Sequence, residues 1–329
     1  MPEPEPKKKK RPFHRVRKRG KRTTVVGEHR SVLLAEVLQV LAIQPGQTVV
    51  DCTLGFAGHS VEMLRLVGAD GRLVALDLDA ANLPGAEPKL AAVGFPFSVH
   101  HSNFAGVQGV LAANGLTGVD ALLADLGMSS MQVDDRARGF SFMRDGPLDM
   151  RMDSSRGKTA ADLLNGMPEA ELAAAFRDLG DEPMAEAIAA AIVARRATQP
   201  LLTTIELRDL IEVAAPVEVY RGPGRPPARK QRLLPATRVF QSLRIIVNRE
   251  LANLTHLLRV LPEILNPGGT AAFLSFHSGE DRLIKAAFRD GVRTGIYAAA
   301  SDDPIRPSEQ EKLDNPRCRS AKLRWARKP

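Results

Sequence analysis

Residues 47–66 constrain the fold of this chain more than any other stretch. A short apolar run with β-branched residues, 47–50, reads as a buried strand that ends in Asp51. Residues 60–66 read as the first turns of a helix, and the small residues Gly55, Ala57 and Gly58 lie between. Strand, small-residue bend and helix form the first half of a parallel βαβ unit. Such a bend lets backbone approach a ligand closely, because no side chain intervenes. It also serves as a plain connection with no ligand, and Asp77 tilts the reading toward a ligand. Asp77 ends the next apolar run, 72–76. A carboxylate there, one crossover later, can accept hydrogen bonds from both hydroxyls of a ribose.

The bend has neither the G-x-G-x-x-G spacing of a dinucleotide cradle nor the Lys-Ser/Thr of a P-loop. A nucleoside without phosphates and with an amino-acid end suits it better, which points to S-adenosylmethionine. Asp51 is the carboxylate expected beside that ammonium group.

The pattern repeats along the chain. Residues 97–100 and 119–124 read as further strands, the second ending at Asp125, and helices are expected over 80–93 and 107–113. An open parallel sheet follows, and ligands of such sheets lie beyond the carboxyl ends of the strands. Asp51, Asp77, Asn103-Phe104 and Asp125 all fall at those ends. Phe104 suits either the flank of an adenine or the core.

Ser31 is expected to cap a first helix. After Asp125 periodicity is lost as far as Asp153. Asp145, Asp149 and Asp153 resemble metal ligands, but capping and pairing with Arg144 and Arg151 explain them better. Residues 159–214 carry only helical patterns, one long helix is expected from 236 to about 265, and 270–276 and 321–326 complete the strands. His277, after the strand at 270–276, is open to an acid/base role or a structural hydrogen bond.

Charge is placed unevenly. Eleven Lys/Arg lie between residues 7 and 22 against Glu3 and Glu5, so the first 22 residues carry +9 of a chain total of +8, and the rest sums to −1. A block of this kind is expected to be a disordered, phosphate-seeking arm. A second basic stretch, 221–232, holds five Lys/Arg among Gly and Pro. Two cysteines, Cys52 and Cys318, exclude a disulfide framework and point to a reducing cytoplasm. No apolar run is long enough for a membrane span.

Several stretches, in order, resemble the RsmH (MraW) family of S-adenosylmethionine-dependent methyltransferases of small-subunit ribosomal RNA. They include His29-Arg30-Ser31-Val32-Leu33-Leu34, the bend described above, Asp125-Leu126-Gly127-Met128-Ser129-Ser130, Arg138-Gly139-Phe140-Ser141-Phe142, Pro235-Ala236-Thr237-Arg238, Ser275-Phe276-His277-Ser278 and Asn315-Pro316-Arg317. The resemblance implies an α/β class I methyltransferase sheet with an inserted all-helical subdomain. The basic arm over 1–22 lies outside the family pattern; the expected division is a methyltransferase domain from 23–138 and 240–329 and a helical insertion over 139–239 that contains the basic loop 221–232. The resemblance implies N4-methylation of a cytidine in the decoding region of 16S ribosomal RNA, with that RNA or the assembled 30S subunit as partner. Neither a metal nor a membrane enters this reading.

Carried over by position, the cofactor contacts are Ala57, Gly58, His59, Asp77, Phe104, Asp125 and Gln132. His59 and Gln132 come from the resemblance alone. Ala57 stands where the family has Gly, so its methyl group is expected to crowd the cofactor. Leu234 and Gly279 depart from the family's His and Leu.

The N4 lone pair of cytosine is delocalised into the ring, so an acceptor for an N4 hydrogen is needed. Asp125 is the expected catalytic group. A buried base must be unstacked, and Phe140, Phe142 or Phe276 is expected to stack on it. Two other readings stand beside this one: a non-catalytic ribosome-assembly factor that binds S-adenosylmethionine, and a nicotinamide dehydrogenase.

Overall fold

The computed structural model describes residues 30–217 and 234–329. The expected basic arm, 1–22, and basic loop, 221–232, lie outside the described residues. Each apolar run that ends in an acid becomes a strand: β1 (Thr48–Asp51), β2 (Arg72–Asp77) and β4 (Val119–Asp125), joined by β3 (Phe97–His101) and β5 (Leu265–Ser275). The sheet is completed by β6 (Ala299–Ala300) and β7 (Lys322–Arg327), in the order β3-β2-β1-β4-β5-β7-β6. The first five strands are parallel, and β7 runs antiparallel to β5. This is the open, mostly parallel α/β sheet expected, with the antiparallel β7 beside β5.

Central strands are apolar at consecutive positions because both faces are covered. Helices α1 (Leu34–Leu41), α2 (Gly58–Val67) and α3 (Leu83–Ala91) pack Val37, Leu64 and Leu90 onto one face with Val49, Leu73 and Leu123. The other face, with Val50, Val74 and Leu122, is covered by α4 (Val107–Ala113), by the helix Glu250–Ile264 and by the helix Ser278–Arg293.

A third apolar cluster is wholly helical. The short α5 (Ser130–Asp134) leads toward α6 (Ala160–Gly166), α7 (Glu169–Gly180), α8 (Ala185–Arg196), α9 (Thr204–Ala214) and α10 (Leu234–Val247). Phe176, Ile188, Leu207 and Leu243 meet in its centre. We propose that residues 139–239 form the insertion; its last helix, α10, continues past that boundary.

Several expectations need correction. Ser31 caps nothing: Leu33, with φ 51°, holds the N-cap position of α1, and Ser31 instead packs against Gly58. The long helix expected over 236–265 is two helices, α10 and α11 (Glu250–Ile264). Arg249 at the break has φ 52°. Asn248 donates to Met150 O (2.8 Å) and accepts from Met152 N–H (2.7 Å), and Arg244 grips Glu250 across the break with two bonds of 2.9 Å. No Gly or Pro marks the site, because contacts distant in sequence hold it. Residues 266–269 form a bulge inside β5: pairing jumps from Val119↔Leu265 to Ala121↔Thr270. The last two helices are α12 (Ser278–Arg293) and α13 (Glu309–Asp314).

Candidate active site

The carboxyl ends of β1, β2, β4 and β5 make one rim. At the end of β1 the chain turns sharply through Thr53, Gly55 and Ala57 into α2. Asp51 is buried at the end of β1. Its carboxylate accepts the Ser60 hydroxyl at 2.6 Å and the Thr53 N–H at 3.0 Å, and burial raises its pKa. It braces the turn, and its charge acts on His59 and Asp125.

The small residues of the turn have separate reasons. A Cβ on Gly55 would meet nothing nearer than Thr53 O at 3.9 Å, so this is where backbone lies open to a ligand. A Cβ on Gly58 would sit 2.1 Å from Ser31 Oγ. Gly58 is therefore small to admit α1's approach. Ala57 adopts φ 64° and is fully buried in the core cluster beneath the turn. The expected crowding of the cofactor by its methyl group is corrected: the methyl group packs inward, and its cost is the left-handed backbone, about 1 kcal/mol.

Asp77, at the end of β2, accepts Gly55 N–H at 2.7 Å on one oxygen and Asp79 N–H at 2.8 Å on the other. Burial pushes its carboxyl up to about 6. The Asn82 side chain also bonds this carboxylate, which leaves it room for one further donor. Asp79 is the residue that reasoning from sequence missed. It is buried, caps the turn at Ala81, and binds Gln132 Nε2 at 2.9 Å and the Arg138 guanidinium at 2.8 Å. Two acids spaced by one residue at a strand end were the available signal. Gln132 is thus occupied by Asp79 and by a capping box with Ser129. Phe104 is half-buried and packs against the core.

Asp125 ends β4 with its side chain a quarter exposed. Its N–H donates to Thr53 Oγ1 at 2.7 Å. His59 Nε2 lies 3.0 Å from Val32 O, and Nδ1 lies 3.7 Å from the Asp125 carboxylate. Burial pushes the Asp125 carboxyl up to about 6, partly offset by His59. One loop, residues 53–59, therefore binds Asp77 on one side and approaches Asp125 on the other.

Phe276 closes the rim at the end of β5. Gly127 adopts φ 109°, and a Cβ there would stand 3.3 Å from the Phe276 ring. Phe140 and Phe142 belong to the helical core; Phe142 packs edge-on against Phe240 at 4.9 Å. Of the three expected stacking aromatics only Phe276 stands at the rim. His277 is the N-cap of α12: Nδ1 accepts Gly279 N–H at 3.2 Å, while Glu280 accepts the N–H groups of Phe276 and His277. This is the structural alternative for His277.

Glu250, His277 and Glu280 are the one group of potential metal ligands that converges among the described residues. Arg244 already neutralises Glu250, and the Gly279 N–H donated to His277 Nδ1 favours the tautomer with the proton on Nε2. Asp149 pairs with Arg151 at 2.8 Å and Asp153 with Arg156 at 2.6 Å.

The sequence matches the model of the MraW methylase family over residues 27–329. It is 44% identical over 321 residues to "Ribosomal RNA small subunit methyltransferase H" of Syntrophotalea carbinolica, covering 93% of this chain and 99% of that one. It is 42% identical over 315 residues to the protein of the same name from Geobacter sp. M21, covering 91% and 98%. "Ribosomal RNA small subunit methyltransferase H 1" of Lachnoclostridium phytofermentans is 42% identical over 310 residues, covering 93% and 83%.

Proposed function

The chain belongs to the MraW methylase family, and on that premise we propose that it methylates the N4 amine of a cytidine in the decoding region of 16S ribosomal RNA. S-adenosylmethionine is the methyl donor, and its sulfonium makes the methyl group electrophilic without activation by the protein. The observation that carries the reading is the shared loop, 53–59, which joins Asp77 at 2.7 Å and brings His59 to within 3.7 Å of Asp125.

The rim fits the donor. Gly55 leaves open backbone where a side chain would fill the cradle, and Asp77 keeps room to accept a ribose hydroxyl. Phe104 flanks the adenine. Ala57, Gly58, His59 and Gln132 hold this frame from behind, through the core, Ser31, Val32 and Asp79.

Asp125 is the acceptor for an N4 hydrogen. With its carboxyl at about 6, it is mostly ionised at neutral pH and near the value best suited to proton transfer. Accepting that hydrogen localises the amine lone pair toward the methyl group and removes the proton after transfer. Phe276 stacks on the unstacked base, and the narrow gap at Gly127 fixes its plane. Alignment of amine and methyl group supplies much of the remaining acceleration.

The test is to incubate the protein with S-adenosylmethionine and small-subunit ribosomal RNA or 30S subunits, then map the product by mass. One methyl group on the exocyclic amine of one cytidine is the expected product. A methyl group on another atom, or none with either substrate, rejects the proposal.

A further inference from the structure

A groove of about 300 Å³ lies beside the rim, between the helical insertion and the sheet domain. Its walls are Leu179 of α7, Leu251 and Thr255 of α11, and Ser278, Arg282 and Leu283 of α12. Ser278 follows Phe276-His277 by one residue, so the groove begins where the proposed acceptor site ends. Arg282 is exposed, and among the described residues neither it nor Lys285 enters an ion pair.

Arg282 also belongs to a second feature. Arg282, Lys285, Arg289 and Arg293 are all exposed and recur at helical spacing, so they share one face of α12. That face is opposite the buried Glu280, Ile284, Phe288 and Gly291. Asp290 lies 3.8 Å from Arg289 and 3.7 Å from Arg293, Asp281 of the same helix is held by Lys322 and Arg324 at 2.7 Å each, and Asp181 accepts the Ser278 hydroxyl at 3.3 Å. Asp178, on the far wall of the groove, is held by Arg177 at 3.3 Å. The chain beyond residue 22 has a net charge of −1, so four cations on one helical face are a local concentration.

We propose that the groove and the outer face of α12 together form the track for the ribose–phosphate backbone of RNA next to the target nucleotide. The proposal rests on the reading of this protein as an RNA methyltransferase and deepens it. The Thr255 hydroxyl donates to Leu251 O at 2.8 Å and the Ser278 hydroxyl to Asp181 at 3.3 Å, so both oxygens are left to accept a hydroxyl of the first ribose beyond the unstacked base, and Leu251 and Leu283 offer an apolar wall to its neighbour. Arg282 binds the first phosphate in the groove. Lys285, Arg289 and Arg293 bind those that follow along the helix, and their partners need no particular sequence.

The test replaces Lys285, Arg289 and Arg293 together by Gln in the full-length protein. None of the three touches the proposed methyl-transfer centre. A control carries Gln at Arg65, Lys312 and Arg319, three exposed or half-exposed cations on other elements. Affinity for small-subunit RNA is measured against salt, with thermal stabilisation by S-adenosylmethionine as the check on the cofactor site. The expected result is an RNA Kd raised roughly tenfold or more and a log–log salt slope lowered by about two, as loss of three phosphate contacts to a single strand dictates. Cofactor stabilisation is unchanged, and the control variant stays close to the parent. Equal losses in the two variants overturn the proposal, because the effect is then general charge; so does an unchanged salt slope. If the parent protein methylates no RNA at all, the functional reading falls first. If the parent is active and the α12 variant matches it, the track alone is rejected.

Discussion

Asp77 and Asp125 end β2 and β4, the strands on either side of β1, and burial pushes both carboxyls up to about 6. For catalysis this places a proton acceptor near neutral pH. Methyl transfer is expected to fall as pH drops through about 6, because protonated Asp125 no longer accepts the N4 hydrogen. Single-turnover rates from pH 5 to 8 should show that limb. Asp125→Asn should lower the rate by about 10²–10⁴-fold and remove the limb. A variant that keeps the wild-type rate removes Asp125 from the chemistry.

The same shift has the opposite consequence for stability. Between the ordinary carboxyl value of about 4 and the folded value of about 6, the folded chain holds protons that the unfolded chain has released. Stability from this source is present at low pH and is lost as pH rises through 6. Two units correspond to about 3 kcal/mol for a buried group, and less for Asp125, which is a quarter exposed. Asp125→Asn should therefore raise the melting temperature of the cofactor-free protein at pH 7 by a few degrees, with the gain shrinking toward pH 5. A melting temperature lowered at pH 7 by this substitution contradicts the argument. The site, in this view, gives up stability for a carboxylate held ready in a poor solvent.

Among the elements, the entry to α2 is where the resemblance and the packing separate most clearly. Gly58 was expected as a cofactor contact, whereas the structure brings Ser31 Oγ to 2.1 Å from the place its Cβ would occupy. Gly58→Ala should cost about 1–3 kcal/mol by overpacking, although alanine is otherwise the better helix former. Ser31→Ala removes the obstructing oxygen. In that background Gly58→Ala should cost little, as urea midpoints of the two single variants and the double would reveal. Equal cost in both backgrounds would show that something other than Ser31 requires the glycine. Cofactor affinity of the double variant then tells whether Gly58 also serves the ligand. The neighbouring elements show how far sequence pattern carries. The ends of β1, β2 and β4 were legible because each of these buried apolar runs finishes on an acid. The break between α10 and α11 was not, because Asn248 reads as an ordinary helical residue. Only its bonds to Met150 and Met152, about 100 residues earlier, make it a terminus. The partners of Asp51 were hidden for a related reason: position placed it at a strand end, and only the fold brings the Ser60 hydroxyl to it.

Across the whole molecule, the stretch between Asp125 and Asp153 hid most from sequence, because distant partners fix its path instead of a repeat of its own. Arg138 is the centre of that arrangement. It donates to the Asp79 carboxylate at 2.8 Å and to Arg151 O and Met152 O at 2.9 Å each, and lies 5.9 Å from the Phe140 ring. Asp79 follows the proposed ribose-binding Asp77 by two residues, while Phe140 belongs to the helical core. One guanidinium thus ties the cofactor side of the sheet to the insertion. Arg138→Gln should cost about 3–5 kcal/mol, since it leaves Asp79 buried without its cation. Asp79→Asn added to it removes the stranded charge, so the double variant should be more stable than Arg138→Gln alone. Cofactor affinity should remain weakened in both, because the two sides are no longer joined. Urea midpoints give the first comparison and calorimetric titration with S-adenosylhomocysteine the second. Simple additivity of the two substitutions would mean that Arg138 and Asp79 act separately, and that the insertion and the cofactor rim are not coupled through them.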